Sequence, residues 1–321
     1  MKIFRIKKTI IQSISWTVLG LSFLFFTLKD KKLSVLKKVI QDTKLEWILI
    51  SGVLLFIVFI LRTLRWKVIL ENLGYNIDNK KVLYSLIIGI FFNSFTPKLG
   101  EIKRCISLQE ISGIPTSVGF GSVIAERIYD ILILVTGLLI VFVLEIERLD
   151  FILSEINLKN QLKIPENVYV IISILSLLLV FIIIFSKIII IKKVISYSKD
   201  IILNIRRSFK MKKYGLFLIY TALIWMFLVL MNYTVFLSIP EIENLSIFFA
   251  VIVLFVGGVG WAFPTPAGIG TTHFLMLQLF IAYGLGEENG IVFGVVSNGI
   301  VFIFTLLYGS IAIGTKNLFI N

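Results

Sequence analysis

The stretch Glu126-Arg127-Ile128-Tyr129-Asp130 places two carboxylates four positions apart, with a guanidinium between them, inside an otherwise apolar run. On a helix, residues four apart lie on one face, so Glu126 and Asp130 share a face and Arg127 sits beside it. If that helix starts near Thr116, Glu126 lies about 15 Å along it at ~1.5 Å per residue. A charge at the bilayer centre costs at least roughly 2.5–3.5 kcal/mol. The three groups are therefore expected to face the bundle interior, paired together or with a partner. Either they handle a charged headgroup or a proton, or they form an ion pair that fixes helix packing.

Two further segments carry polar groups beside helix breakers. In Asn93-Ser-Phe-Thr-Pro-Lys-Leu-Gly-Glu101, followed by Lys103 and Arg104, Pro97 frees backbone carbonyls and Gly100 admits close approach. Asn93, Pro97, Lys98, Gly100, Glu101 and Arg104 are candidates to bind substrate there; the plainer reading is a solvated loop whose charged side chains snorkel. In Phe263-Pro-Thr-Pro-Ala-Gly-Ile-Gly270, Pro264 and Pro266 stop one helix, and Gly268 and Gly270 permit a tight turn. Thr271 and Thr272 suit the N-cap of the next helix. A helix N-terminus at membrane depth offers N–H groups to an anion such as phosphate. His273, the sole histidine, would lie in that first turn. It could titrate beside a ligand, or it could be a hydrogen-bonded packing residue.

Arg62-Thr-Leu-Arg-Trp66 reads as an interfacial anchor, with arginines toward headgroups and tryptophan in the aromatic belt. A single cysteine, Cys105, excludes an internal disulfide and any cysteine cluster for metal. No Walker-type glycine loop is present, and no cofactor is expected.

The elements that must hold these groups follow from composition. Hydrophobic residues make up 58% of the 321, above the roughly half of soluble domains, and they run in long blocks. This reads as an all-α polytopic membrane protein, one integral membrane domain over residues 1–321. The net charge of +13 fits the positive-inside rule and anionic lipid, so no nucleic-acid partner is expected. A membrane-spanning helix needs about twenty residues. Full spans are expected at Ile10–Leu28 (retained, since no cleavage site follows it), Trp47–Trp66, Thr116–Leu144, Val168–Ile191, Tyr214–Ser238 and Ile291–Thr315. Val82–Thr96 and Ile269–Gly284 are too short, at about 22 and 24 Å, and read as arms of two re-entrant hairpins. Eight plain spans are the alternative.

Lys187–Lys213 holds nine Lys/Arg and one acid, which makes it cytoplasmic. The acidic loops at Glu145–Glu166 and around Glu241 and Glu243 should lie outside. Both termini then fall in the cytoplasm. Lys29–Glu46, with six lysines, objects to its outside placement. The two Thr-Pro breaks entering from opposite faces would fit an inverted repeat with a midplane site.

Asn93, Pro97, Gly100, Glu101 and Arg104, then residues 126–130, then Pro264–Gly270 resemble the three signature segments of the lysylphosphatidylglycerol synthase transmembrane-region family. These are the flippase-like relatives of the membrane half of the bacterial multiple peptide resistance factor. Leu61–Gly74 is similar to that family's second-helix exit. Two positions depart: Lys98 stands where the family usually has arginine, so a bidentate phosphate contact is lost, and His273 stands where glutamate is frequent. The resemblance implies a bacterial or archaeal plasma-membrane protein that moves a lipid, with an anionic headgroup, between leaflets. It also implies that the soluble aminoacyl-transferase domain is missing, so this chain is not expected to synthesise lysylphosphatidylglycerol itself, and a transporter is expected more than an enzyme. The rivals are a membrane partner of a separately encoded lipid-modifying enzyme and a membrane-embedded transferase. Neither oligomeric state nor lipid identity follows from the sequence.

Overall fold

The computed structural model describes residues 42–96, 99–146, 199–263 and 265–320. Among them every regular element is helical. The expected spans Ile10–Leu28 and Val168–Ile191 lie outside the described residues, as do most of the lysines of Lys29–Glu46.

Among the described residues four helices are long and apolar enough to cross a bilayer: α1 (Leu45–Asn72), α4 (Thr116–Leu144), α6 (Tyr214–Ser238) and α9 (Glu287–Gly314). Between them lie shorter helices. α2 (Asn79–Phe95) and α3 (Leu99–Ser112) have 17 and 14 residues, and α7 (Ile247–Ala262) and α8 (Thr271–Ala282) have 16 and 12. α5 (Lys199–Ser208) precedes α6, and α10 (Lys316–Ile320) ends the chain.

Local chemistry sets these boundaries. Asp78 caps α2 by accepting from the Lys80 amide, 3.3 Å, and Ser246 caps α7 by accepting from the Phe249 amide, 3.2 Å. α2 ends before Pro97, and Thr96 is extended (φ −133°, ψ 110°), as the residue preceding a proline prefers. α7 ends the same way, with Phe263 extended before Pro264. The chain then reverses through Ala267, Gly268 and Gly270 at φ 48°, 69° and 86°, in the left-handed region that glycine occupies without penalty.

α1 and α6 pack antiparallel along their whole length. At one end the Lys44 amide donates to the Ser238 carbonyl, 2.9 Å, and the Lys44 ammonium pairs with Glu243. At the other, Lys213 Nζ meets Glu71 Oε2 at 2.9 Å and the Lys212 amide donates to Asn72 Oδ1 at 3.2 Å. Lys44 and Glu243 therefore share one side of the protein, and the basic residues before α6 share the other with the end of α1. One of the six lysines that resist an outside placement is thus matched by an acid.

The start of α4 lies on the same side as the end of α1, because Trp66 Nε1 donates to Ser122 Oγ at 2.8 Å. On the opposite side four rings gather in the core. Phe236, near the end of α6, stands 5.8 Å from Phe249 at the start of α7 and 5.1 Å from Phe293 near the start of α9. Phe280, near the end of α8, lies 5.5 and 5.6 Å from Phe249 and Phe293. α2 packs on the Pro266–Gly268 turn and on α9.

Candidate functional site

α1, α3 and α4 together enclose a cluster of ionised side chains. Glu126 and Asp130 do share a face, and that face meets α1. Arg65 Nη1 donates to Asp130 Oδ1 at 2.7 Å, and Arg65 Nη2 donates to Glu126 Oε1 at 2.7 Å and Asp130 Oδ2 at 3.1 Å. The Arg65 and Glu126 side chains are 1% and 0% exposed. A forked guanidinium spans the carboxylate pair, a geometry that lysine cannot supply.

Arg104 approaches from α3. Its Nη1 stands 3.0 Å from Glu126 Oε2, and its guanidinium carbon lies 3.6 Å above the Trp66 ring. The Nη1–Oε2 pair is close but not aligned as a hydrogen bond, so Glu126 Oε2 has no hydrogen-bond partner, and neither do Arg104 Nε and Nη2. Farther out, Arg127 Nε donates to Glu101 Oε1 at 2.8 Å and its Nη1 to Asp130 Oδ2 at 3.4 Å; Arg127 and Glu101 are each about one third exposed. Arg62 is half-buried within electrostatic reach of Glu126, Asp130, Arg104 and Arg127. Among the described residues it makes no ion pair.

Close backbone packing lets α3 carry its charges here. The Gly100 amide donates to Asn93 Oδ1 at 2.8 Å. A Cβ on Gly100 would land on the Gly89 carbonyl oxygen, and one on Gly89 would sit 2.6 Å from Arg104 Cβ. Only glycine fits where α2 and α3 cross, so the sequence signal at Gly100 reflects helix contact.

The reading of Arg62–Trp66 as a headgroup anchor is overturned. Trp66 and Arg65 are buried, at 0% and 1% exposure, because the acidic face of α4 requires a cation and the indole N–H requires an acceptor. The signal was available in the charge balance. Glu126, Arg127 and Asp130 sum to one negative charge, so a cation from another helix was needed, and Arg65 sits in an apolar helix.

The second constellation surrounds the break before α8. The N-cap is Gly270, not a threonine. Its amide donates to His273 Nδ1 at 3.3 Å. Thr271 and Thr272 occupy the first turn, and their hydroxyls donate backward. Thr271 Oγ1 reaches the Gly260 and Gly268 carbonyls at 2.9 and 3.1 Å, and Thr272 Oγ1 reaches Gly268 O at 2.7 Å. The Thr271 hydroxyl thus serves the Gly260 carbonyl that Pro264, lacking an N–H, leaves without its helical partner, and both hydroxyls serve the Gly268 carbonyl in the turn. Asn298 Nδ2 donates to Thr272 Oγ1 and lies 3.3 Å from His273 Nδ1. His273 is thus a buried acceptor that ties two helices together. Asn298, which sequence reasoning missed, lies about 16 Å along α9 at ~1.5 Å per residue.

The two constellations are distinct. Glu101, Arg104, Glu126, Arg127 and Asp130 meet in the first, with Asn93 and Gly100 joining its hairpin. Pro266, Gly268, Gly270, Thr271 and His273 meet in the second. Pro97, Lys98 and Pro264 lie outside the described residues. Among the described residues, no group of three or more His, Cys, Asp or Glu side chains could hold a metal ion.

The model of the lysylphosphatidylglycerol synthase TM region matches residues 13–309. The chain belongs to that family. Three archaeal relatives are named UPF0104 membrane proteins. That of Methanocaldococcus jannaschii is 31% identical over 133 residues, 40% of this chain and 38% of the relative. That of Methanothermobacter thermautotrophicus is 32% identical over 95 residues, 29% of this chain and 27% of the relative. That of Pyrococcus horikoshii is 25% identical over 314 residues, 88% of this chain and 91% of the relative. The matched stretches thus span less than half the length of the first two relatives and nearly all of the third. No solved structure matches the chain significantly. Family and helices together make this a multi-pass membrane protein.

Proposed function

We propose that this protein moves a phospholipid or a lipid-linked group between leaflets, along a path flanked by two re-entrant hairpins. The observation that carries the reading is the buried Arg65–Glu126–Arg104 group beside a pair of short helices of 17 and 14 residues. Intramembrane ionisable groups mark substrate or ion pathways by default, and broken helices mark midplane sites.

Two contacts support re-entrance. The end of α1 and the start of α4 share a side, which supports an α2–α3 hairpin that would enter and leave there. The gathering of the Phe236, Phe249, Phe280 and Phe293 rings supports an α7–α8 hairpin with both ends on the other side. The contact of α2 with the Pro266–Gly268 turn supports hairpins that would meet each other inside the bilayer. The whole chain would work as one membrane unit in the plasma membrane. The basic residues Lys210, Lys212 and Lys213 favour a cytoplasmic face for the end of α1. Anionic lipid is the natural partner of the arginines, and Glu101, Glu126 and Asp130 balance their charge or carry protons.

The test is leaflet exchange. Purified protein in liposomes with headgroup-labelled lipids should speed loss of label to an external quencher over empty liposomes. If every lipid and ion gradient gives the empty-liposome rate, the reading fails. Copurification with a soluble lipid-modifying enzyme would then favour a partner role.

A further inference from the structure

A short turn, residues 113–115, joins α3 to α4, and in it Gly113 takes φ 72°, the left-handed region that glycine occupies freely. From that turn the two helices run antiparallel, and three contacts follow one another along them. Nearest the turn, α4 presses on Cys105. A Cβ on Gly119 would sit 3.2 Å from Cys105 Cβ and 3.3 Å from its Sγ, and Cys105 is 0% exposed. Next comes Arg104 against Glu126. Last, at the far end of α3, Glu101 meets Arg127.

These contacts are unequal. Arg127 and Glu101 make an aligned hydrogen bond of 2.8 Å, but each side chain is about one third exposed, and ion pairs in reach of water hold weakly. Arg127 has a second partner on its own helix, Asp130 at 3.4 Å, so releasing Glu101 does not strand it. The buried contact is incomplete. Arg104 Nε and Nη2 and Glu126 Oε2 have no hydrogen-bond partner, and buried polar groups left unpaired are costly until water reaches them. The closed packing therefore carries a cost that hydration of Arg104 and Glu126 would remove.

α2 has to move with α3, because Gly89 and Gly100 hold the two backbones in contact and the Gly100 amide donates to Asn93. α2 in turn meets α9 through rings, Phe91 against Gly309 and Phe95 against Phe302 at 6.4 Å. Apolar contacts of this kind have no fixed direction.

We propose that the α2–α3 hairpin swings away from α4 about the turn at residues 113–115, that the Arg127–Glu101 pair is the latch that holds it shut, and that opening admits water to Arg104 and Glu126. Arg127 passes wholly from Glu101 to Asp130 as the latch opens, and the turn absorbs the change of angle, as hinges between rigid elements do. The device controls access to the buried cluster whatever passes through it, so it goes beyond the translocase reading and does not rest on it.

Cys105, the sole cysteine, reports the opening, because α4 covers it when the hairpin is shut. Full-length protein in neutral detergent is treated with N-ethylmaleimide well below its unfolding temperature, and modification of Cys105 is followed by mass spectrometry. Glu101→Gln is expected to speed modification roughly three- to fivefold over wild type, the range a partly exposed ion pair is worth. Arg127→Gln should do the same, and the double variant should be no faster than the faster single, because either change alone releases one latch. Lys103→Gln removes the Lys103–Glu110 pair, 3.8 Å, within α3 itself, and should keep the wild-type rate. The unfolding temperature of each variant is recorded alongside.

Faster modification in both latch variants, out of step with their unfolding temperatures, upholds the proposal. Wild-type protection of Cys105 in Glu101→Gln overturns it. Equal acceleration by Lys103→Gln does so too, as do single effects that multiply in the double variant, and rates that follow unfolding temperature across the whole set. Because the readout is a thiol, failure of leaflet exchange would sink the translocase reading without touching the latch.

Discussion

Arg65 and Glu126 stand 61 positions apart in the chain and 2.7 Å apart in space, both sealed from solvent. This pair joins two membrane-spanning helices through their most costly residues. Removing one partner of a buried ion pair strands the other, at about 3–5 kcal/mol. Glu126→Gln and Arg65→Met are each expected to lower stability by that order in detergent unfolding. The double change Arg65→Met with Glu126→Leu should cost less than the sum by about 1–3 kcal/mol. Strict additivity would mean that the pair is not coupled.

Trp66 supports the same cluster from below. Trp66→Phe keeps a ring under Arg104 but loses the N–H bond to Ser122, leaving a buried hydroxyl to find a new donor at about 1–3 kcal/mol. In that background Ser122→Ala should add little. Unchanged unfolding of Trp66→Phe would return tryptophan to the role of a surface anchor.

The hairpin geometry is open to a labelling test. Cys105 is the sole cysteine and is buried, so introduced cysteines report alone. Gly74→Cys and Gly113→Cys flank the α2–α3 hairpin and should react with an impermeant reagent from one side of the membrane. Glu241→Cys and Gly284→Cys, around the second hairpin, should react from the other. If the two positions flanking either hairpin react from opposite sides, that hairpin spans the bilayer and eight spans replace it.

Much of this was legible before any coordinates. The bounds of α4 and α6 coincide with the apolar runs Thr116–Leu144 and Tyr214–Ser238, because nothing in those runs competes with hydropathy. The breaks at Pro97 and Pro264 were visible because proline forbids helix locally. Arg65 was misplaced because its role depends on a helix sixty residues away, and a basic-aromatic sequence near a span's end has a local explanation that satisfies without one. Asn298 gave no signal: an amide in an apolar helix becomes informative only once Thr272 and His273 stand beside it. The threonines of α8 illustrate a different limit. Their hydroxyls suit an N-cap, but the carbonyl of Gly260, freed by Pro264, and the turn carbonyl of Gly268 claim them.

His273 accepts from the Gly270 amide and sits beside Asn298, so protonating Nδ1 would break the helix start. Leaflet exchange should therefore show no histidine titration between about pH 5 and 8. His273→Ala should lower unfolding temperature without adding or removing a pH step. A step in wild type that vanishes in His273→Ala would make the imidazole a working proton carrier.

The most direct measurement is exchange of headgroup-labelled phosphatidylglycerol in liposomes holding wild type, Glu126→Gln or Lys213→Gln, each at matched folded fraction. Movement through the buried cluster predicts that wild type and Lys213→Gln exchange lipid well above empty liposomes, and that Glu126→Gln loses at least about tenfold, or ~1.4 kcal/mol of barrier. Exchange by folded Glu126→Gln at the wild-type rate would contradict a path through the Arg65–Glu126–Arg104 group.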